Sequence, residues 1–375
     1  MEKARKINTL DYVRVIATLM VFMLHTLIFT SQKVGVDLNE YFRRLFVFKA
    51  PAWAGVWIFF ILSGYFAGRG FAENKYTLNM RGILRYYILR FIKIGIPTYF
   101  FVFLCCTLLY PDFIFSDKYV LLRMMTFTYN GVPGLDGIGA TWYVSSLMQM
   151  YLIVPGIVFL LEKIKTVMKN NANFFGYFWI LLLAVGIVVR VILYKSGVNW
   201  YNRVYTFSPA NLDLFIGGIV LNYVKKPEKK MSKHIIAWGI FIVAILLNCY
   251  LYLEADLGRT EYMFVYQYVF PSVYLFSVSL LILQNIEVKN ETRIIKWINR
   301  IISWFSGISF QFYLWHSLIL RCIFQMVTGR TPLALHIKLL LIVFVLTSVM
   351  ATFFTKASEE ILKPFQRRVQ QLLHD

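Results

Sequence analysis

The chain has 375 residues, of which 59% are hydrophobic, 18% aromatic and only 15% charged, with a mean hydropathy of +0.61. That balance excludes a soluble globular domain and makes the bilayer the solvent. The net charge of +20, from 39 Lys and Arg against 19 Asp and Glu, suits a surface facing anionic lipid and gives no reason to invoke nucleic acid.

About ten stretches are long enough to cross roughly 30 Å of hydrocarbon. They lie near residues 11–30, 46–68, 88–110, 142–161, 174–194, 207–224, 234–253, 262–283, 301–324 and 334–355. The first follows a short basic start, Met1 to Lys6, without the small-residue cleavage site of a removable signal, and it is expected to be retained. It carries Asp11, Arg14 and His25. Eleven helical steps from Arg14 to His25 end about 20° past three full turns and about 16 Å further along the axis, so both side chains lie on one face, with Asp11 a turn before Arg14 on the same stripe. Ionisable groups inside a bilayer are costly and usually functional. The alternatives are an Arg14 that snorkels to the headgroups and a His25 hydrogen-bonded within the bundle.

The second span holds Ser63 and Gly64, a pair suited to close helix contact. Arg81, Arg85, Arg90 and Lys93 cluster at the mouth of the third, either as cytoplasmic anchors or as a phosphate-binding group. Cys105, Cys106, Cys249 and Cys322 fall within spans and have neither disulfide nor metal-ligand spacing, so no metal is expected. The longest stretch between spans runs from about Pro111 to Thr141, and its Gly131–Gly139 segment reads as a flexible lid, since no strand precedes those glycines. Arg190 and Asp213 sit at the outer ends of adjacent spans and are expected to pair. In the ninth span Ser309, Tyr313 and His316 share a stripe. His316 reads either as a satisfied structural histidine or as an acceptor-side or second base.

With ten spans and a cytoplasmic N-terminus, 25 of the 39 cations fall in cytoplasmic segments and ten in outer loops. That is the bias the positive-inside rule demands. The expected fold class is therefore all-α: a polytopic membrane protein with about ten transmembrane helices and both termini cytoplasmic. Residues 1–375 read as one integral-membrane unit with no appended soluble domain.

Four blocks and two weaker echoes occur in a recognisable order. Leu10-Asp11-Tyr12-Val13-Arg14 with His25 opens the series, followed by Phe59-Phe60-Ile61-Leu62-Ser63-Gly64-Tyr65 and by Arg90-Phe91-Ile92-Lys93 with Pro97. A weaker echo is Thr141-Trp142-Tyr143 with Gln149, Tyr151 and Pro155, and another is Leu214-Phe215-Ile216-Gly217-Gly218; the series closes with Gly307-Ile308-Ser309-Phe310-Gln311-Phe312-Tyr313-Leu314-Trp315-His316. Together they resemble the acyltransferase-3 family, bacterial integral-membrane enzymes that O-acetylate cell-surface glycans. Lys93 stands where that family more often has Arg, which keeps the charge but loses the planar fork. The esterase-like extracytoplasmic domain of some members is not expected here, and any step it performs would then fall to a separate extracytoplasmic transferase partner.

The resemblance implies an acyl-CoA-dependent O-acyltransferase of the bacterial cytoplasmic membrane, with acetyl-CoA as donor and co-substrate. The acceptor would be a carbohydrate or lipid-linked glycan of the cell envelope. Acyl transfer from a thioester to a hydroxyl needs a base and a site for the oxyanion. His25 suits the base, about 21 Å into the membrane from Asp11. Arg14, oriented by Asp11, is better placed to hold the donor. Arg85, Arg90 and Lys93 would bind its phosphates, while Ser63 and Gly64 would make room for its pantetheine arm. Trp142, Tyr143 and Tyr129 would stack on acceptor sugars, with His316 on the acceptor side. An exporter of glycan or lipid is the alternative reading, but no inverted hydropathy repeat supports it.

Overall fold

The computed structural model describes residues 9–34, 51–108, 118–130, 139–169, 171–285, 292–326 and 333–373. The cations Lys3, Arg5, Lys6 and Lys289 and most of the Gly131–Gly139 segment lie outside these residues. All regular structure among the described residues is helical. In chain order the elements are α1 (Thr9–Val34), α2 (Ala52–Ala72), α3 (Met80–Arg90), α4 (Ile96–Leu108), α5 (Lys118–Met125), α6 (Trp142–Val167) and α7 (Ala172–Lys195). These are followed by α8 (Leu212–Val220), α9 (Met231–Asp256), α10 (Glu261–Phe264), α11 (Phe270–Leu283), α12 (Arg293–Gln325) and α13 (Leu333–Leu372). A π-helical turn at Phe91–Gly95 fuses α3 to α4, and another at Val265–Val269 fuses α10 to α11. Proline follows closely in each case, at Pro97 and Pro271. Its ring clashes with the carbonyl four residues back and it donates no N–H, which the widened turn absorbs.

Among the described residues, eight helices are long and apolar enough to cross a membrane, against the ten stretches expected. The two others are α8, only nine residues long, and α12, whose polar stripe dilutes its hydropathy. Packing shows that both still cross. Tyr12, Arg14 and His25 of α1 meet Asn299, Ser306 and His316 of α12 in rising order, so the two helices run parallel. Alternating crossings put α1 and α12 in the same direction only if the short α8 also traverses.

Glycines let α8 reach the centre. A Cβ at Gly64 would lie 2.0 Å from the Phe215 carbonyl oxygen, and one at Gly218 would lie 2.2 Å from the Ile61 oxygen. The backbones of α2 and α8 therefore touch without side chains between them, the small-residue contact that substitutes for hydrophobic drive in lipid. Gly64 is thus a helix contact, and the space expected there for a pantetheine arm is filled by α8. The centre of the bundle is α1, α2 and the α10–α11 span, while α7 and α13 form an outer ring whose side chains face lipid. Arg190 of α7 reaches inward to Asp213 at 2.7 Å, forming the expected ion pair, with a further bond to Ser272. The long outer stretch contains a helix, α5, where the sequence reads as loop.

Candidate functional site

The α1–α12 seam carries two polar clusters about ten residues apart on each helix. At the inner one, Asp11 is buried and accepts a 2.6 Å hydrogen bond from the Ser306 hydroxyl, which itself accepts from Arg14 Nη1 at 3.0 Å. Arg14 and Asp11 also pair directly at 3.7 Å. The guanidinium lies 5.1 Å from the Phe66 ring centre, a cation–π contact from α2. Two turns before Ser306 on α12, Asn299 accepts from the Tyr12 hydroxyl. Ser306 lies seven residues before Tyr313 on the stripe that carries His316, and as one small residue among others in the span it gives no separate signal in the sequence.

At the outer cluster, the His25 and His316 rings stack at 12°, and His25 Nδ1 lies 2.7 Å from His316 Nε2. His316 Nδ1 is 2.6 Å from the Tyr313 carbonyl oxygen. A carbonyl only accepts, so His316 Nδ1 carries a proton and, in the neutral ring, Nε2 is the acceptor. The shared hydrogen therefore belongs to His25 Nδ1, which leaves a lone pair on His25 Nε2. His316 is buried and His25 half-buried, so that lone pair belongs to the ring with access to a ligand.

The mouth of the α3–α4 span is built from cations on tyrosine faces. Arg90 lies 5.5 Å from the Tyr86 ring centre and 4.9 Å from that of Tyr151, and Arg85 lies 6.0 Å from Tyr76. The Nε–H groups of Arg85 and Arg90 are buried without a hydrogen-bond partner among the described residues. Buried donors seldom stay unmet in a working protein, and two such N–H groups side by side have the chemistry to take an anion. Lys75, in the turn before α3, sits 5.7 Å from the Tyr76 ring. Partial burial, with Arg90 and Arg85 nearby, pushes its ammonium below the ordinary lysine range. Lys93 is exposed in the π turn, and Arg81 is exposed at the first turn of α3. Beside this mouth, Pro155 of α6 cannot donate to the Tyr151 carbonyl, and the Tyr87 hydroxyl bonds the neighbouring Leu152 carbonyl at 2.7 Å.

Trp142, Tyr143 and Tyr129 are buried, at 6%, 5% and 1% exposure. Trp142 packs edge-on against Tyr205 at 4.7 Å, and Tyr143 packs among Phe59, Phe60 and Tyr313. Rings covered in this way have no face to offer a sugar, so the stacking role expected of them is corrected to framework. Tyr143 nonetheless joins the site, because its ring meets Tyr313, the residue whose carbonyl fixes His316. Of the expected site residues, Asp11 and Arg14 meet at the inner cluster and His25 and His316 at the outer. Ser63 and Tyr143 lie between α2 and α6, and Arg85, Arg90 and Lys93 lie at the mouth. Among the described residues no group of three or more His, Cys, Asp or Glu could hold a metal ion.

The sequence matches the acyltransferase-3 family profile, an acyltransferase domain, over residues 7–354. No curated protein and no solved structure matches it. The match runs from just before Asp11 to the middle of α13 and takes in both clusters of the α1–α12 seam and the cationic mouth. The chain belongs to the acyltransferase-3 family and is a multi-pass membrane acyltransferase.

Proposed function

We propose that this protein moves an acyl group, acetyl by preference, from cytoplasmic acyl-CoA to a hydroxyl of a cell-envelope glycan or its lipid-linked precursor. The observation that carries the reading is the hydrogen-bond chain from the Tyr313 carbonyl through His316 to His25 Nδ1. It leaves His25 Nε2 as an unprotonated nitrogen deep in the bundle, the form a general base requires. The acceptor hydroxyl gives its proton to Nε2 as its oxygen attacks the thioester carbon. The tetrahedral adduct then expels the CoA thiolate, which takes the proton back from Nε2. Both His25 nitrogens carry hydrogen only while the adduct exists, and the bond to His316 Nε2 then stabilises the imidazolium.

The donor would lie along the inner half of the seam. Its nucleotide phosphates suit the unmet Nε–H groups of Arg85 and Arg90, with Lys93 and Lys75 adding charge. Arg14 is held by Asp11, Ser306 and Phe66 about 16 Å below His25, so it suits the donor's tail and lies too far for the reacting carbonyl. The carboxylate of Asp11 keeps that guanidinium from being an unpaired charge in lipid.

The test is thiol release. Purified protein in detergent, given acetyl-CoA, is expected to release CoA slowly through water and faster with an envelope glycan fraction. His25→Ala protein that folds and inserts normally should do neither. Release that ignores this substitution would sink the reading. If no release occurs with any glycan fraction while a labelled lipid-linked sugar crosses proteoliposomes, export takes its place.

A further inference from the structure

Between α5 and α6 the chain turns back into the bundle. Phe127 stacks on Tyr99 of α4 at 5.1 Å and 18°, nine residues short of the end of α4, about 13 Å below it. Phe127 has φ of 53°, a left-handed conformation that a bulky residue adopts at a cost. Three contacts hold it there. Thr128 N–H bonds the Arg123 carbonyl at 2.8 Å, Phe127 N–H bonds that of Met124, and the Phe127 carbonyl accepts from Gln149 Nε2 at 2.7 Å. Arg123 grips the same turn, donating from Nε and Nη2 to the Thr128 carbonyl and from Nη2 to that of Asn130. Irregular backbone at this depth persists where protein encloses it or it lines an aqueous cavity, and strain held by so many bonds is typical of binding sites.

The turn forms one wall of a cavity of about 440 Å³, completed by Gln149 of α6 and by Asn202, Arg203 and Phe207 from the segment before α8. Asn130 and Gln149 are framework, since their amides are used on Ser146, Ser208, the Thr206 carbonyl, the Phe127 carbonyl and each other. What faces the cavity unengaged is different. Arg203 and the Asn202 amide have no side-chain partner among the described residues, and the hydrogen bonds of Arg123 use only its Nε and Nη2. Phe207 is 39% exposed beside them. Among the described residues, both ionisable side chains lining the cavity are arginine.

We infer that this cavity binds the acceptor, and that the acceptor is an anionic saccharide whose charge is a carboxylate or a phosphate. The volume fits one or two sugar rings. Two guanidiniums suit a planar carboxylate or a phosphate, the amide suits hydroxyls, and the phenyl edge suits the apolar face of a ring. On the orientation set by the Lys and Arg distribution, the segments before α6 and before α8 that line the cavity enter from the extracytoplasmic side, and its Gln149 wall lies two residues from Tyr151, which carries Arg90 of the donor mouth. This inference rests on the acyltransferase reading for the word acceptor, but binding can be measured without turnover.

Purified protein in nanodiscs is titrated with an oligouronate, a glycerol-phosphate oligomer and a neutral gluco-oligosaccharide of equal length. At least one anionic probe is expected to bind about tenfold or more tightly than the neutral one, to weaken with salt, and to lose about tenfold in affinity in Arg203→Gln and more in Arg203→Glu. The tighter anionic probe identifies the charge. Arg203 is exposed and outside the strained turn, so folding should survive; Asn202→Ala, expected to weaken all three probes alike, gives a second readout. Equal affinity for neutral and anionic probes, no anionic binding by the wild type, or binding indifferent to Arg203→Glu would overturn the inference. His25-dependent thiol release is unaffected by any of these results, so the two readings fail separately.

Discussion

The inner and outer clusters of the α1–α12 seam hold polar groups in a low-dielectric interior by opposite means. At the inner end the groups are ions, and each is matched: Arg14 with Asp11, Ser306 and the Phe66 face. At the outer end no carboxylate pairs with His25 or His316 among the described residues, and a chain of neutral hydrogen bonds satisfies the two rings. Permanent charge is what holding an anionic donor requires, and it tolerates burial only when paired. A neutral imidazole is what accepting a proton requires. The seam thus separates grip from chemistry by about three helical turns.

The largest expected break in this comparison is at its outer end. His25→Ala should lower transfer by a factor of about 10² to 10⁴, and His25→Asn by nearly as much, since the amide keeps size and polarity without basicity. Initial rates of glycan acylation check this, and activity within tenfold of wild type would contradict it.

Next comes His316. His316→Leu removes the acceptor that fixes the His25 tautomer, and kcat should fall by about 10- to 100-fold with little change in KM for acyl-CoA. Gln can accept from His25 and donate to the Tyr313 carbonyl, so His316→Gln should recover part of the loss. A merely structural His316 would show no such ordering among variants of equal thermal stability.

The inner end should respond in KM instead. Arg90→Leu and Ser306→Ala should raise KM for acyl-CoA by about 3- to 30-fold, the Arg90 effect shrinking as salt rises. A fall in kcat alone would move these residues out of donor binding.

The smallest effect sharpens the account of the mouth. Because burial and the adjacent guanidiniums depress the Lys75 pKa, more of its amine is neutral at about pH 8 than for an ordinary lysine. It should acylate with a mild anhydride faster than the other exposed lysines, and CoA should protect it by neutralising the surrounding charge. Peptide mass spectrometry reads both outcomes.

Much of the seam was legible in the sequence, because helical periodicity alone puts Asp11, Arg14 and His25 on one face and Ser309, Tyr313 and His316 on another. That those faces meet was not legible, since the bonds join residues about 290 apart in sequence. Ser306 carried the signal of its stripe but looked like one more small residue in a span. The burial of Trp142 and Tyr143 could not be read, as aromatic residues look alike whether they face lipid, core or ligand. Gly64 carried two readings, and only the approach of Phe215 chose between them. The re-entrant turn at Phe127 left no trace in sequence pattern, because the contacts that draw it into the bundle come from Gln149 of α6 and Tyr99 of α4, both distant in sequence.

The most direct test of the central claim is the tautomer of His25. Only five histidines are present, so nitrogen-15 labelling with a His25→Asn control assigns the ring in a solid-state NMR spectrum of the protein in lipid. The account predicts a protonated Nδ1 and an unprotonated Nε2 on His25, with a nitrogen–nitrogen coupling across the bond to His316. A His25 ring protonated at Nε2, or one whose spectrum is unchanged in His316→Leu, would contradict it.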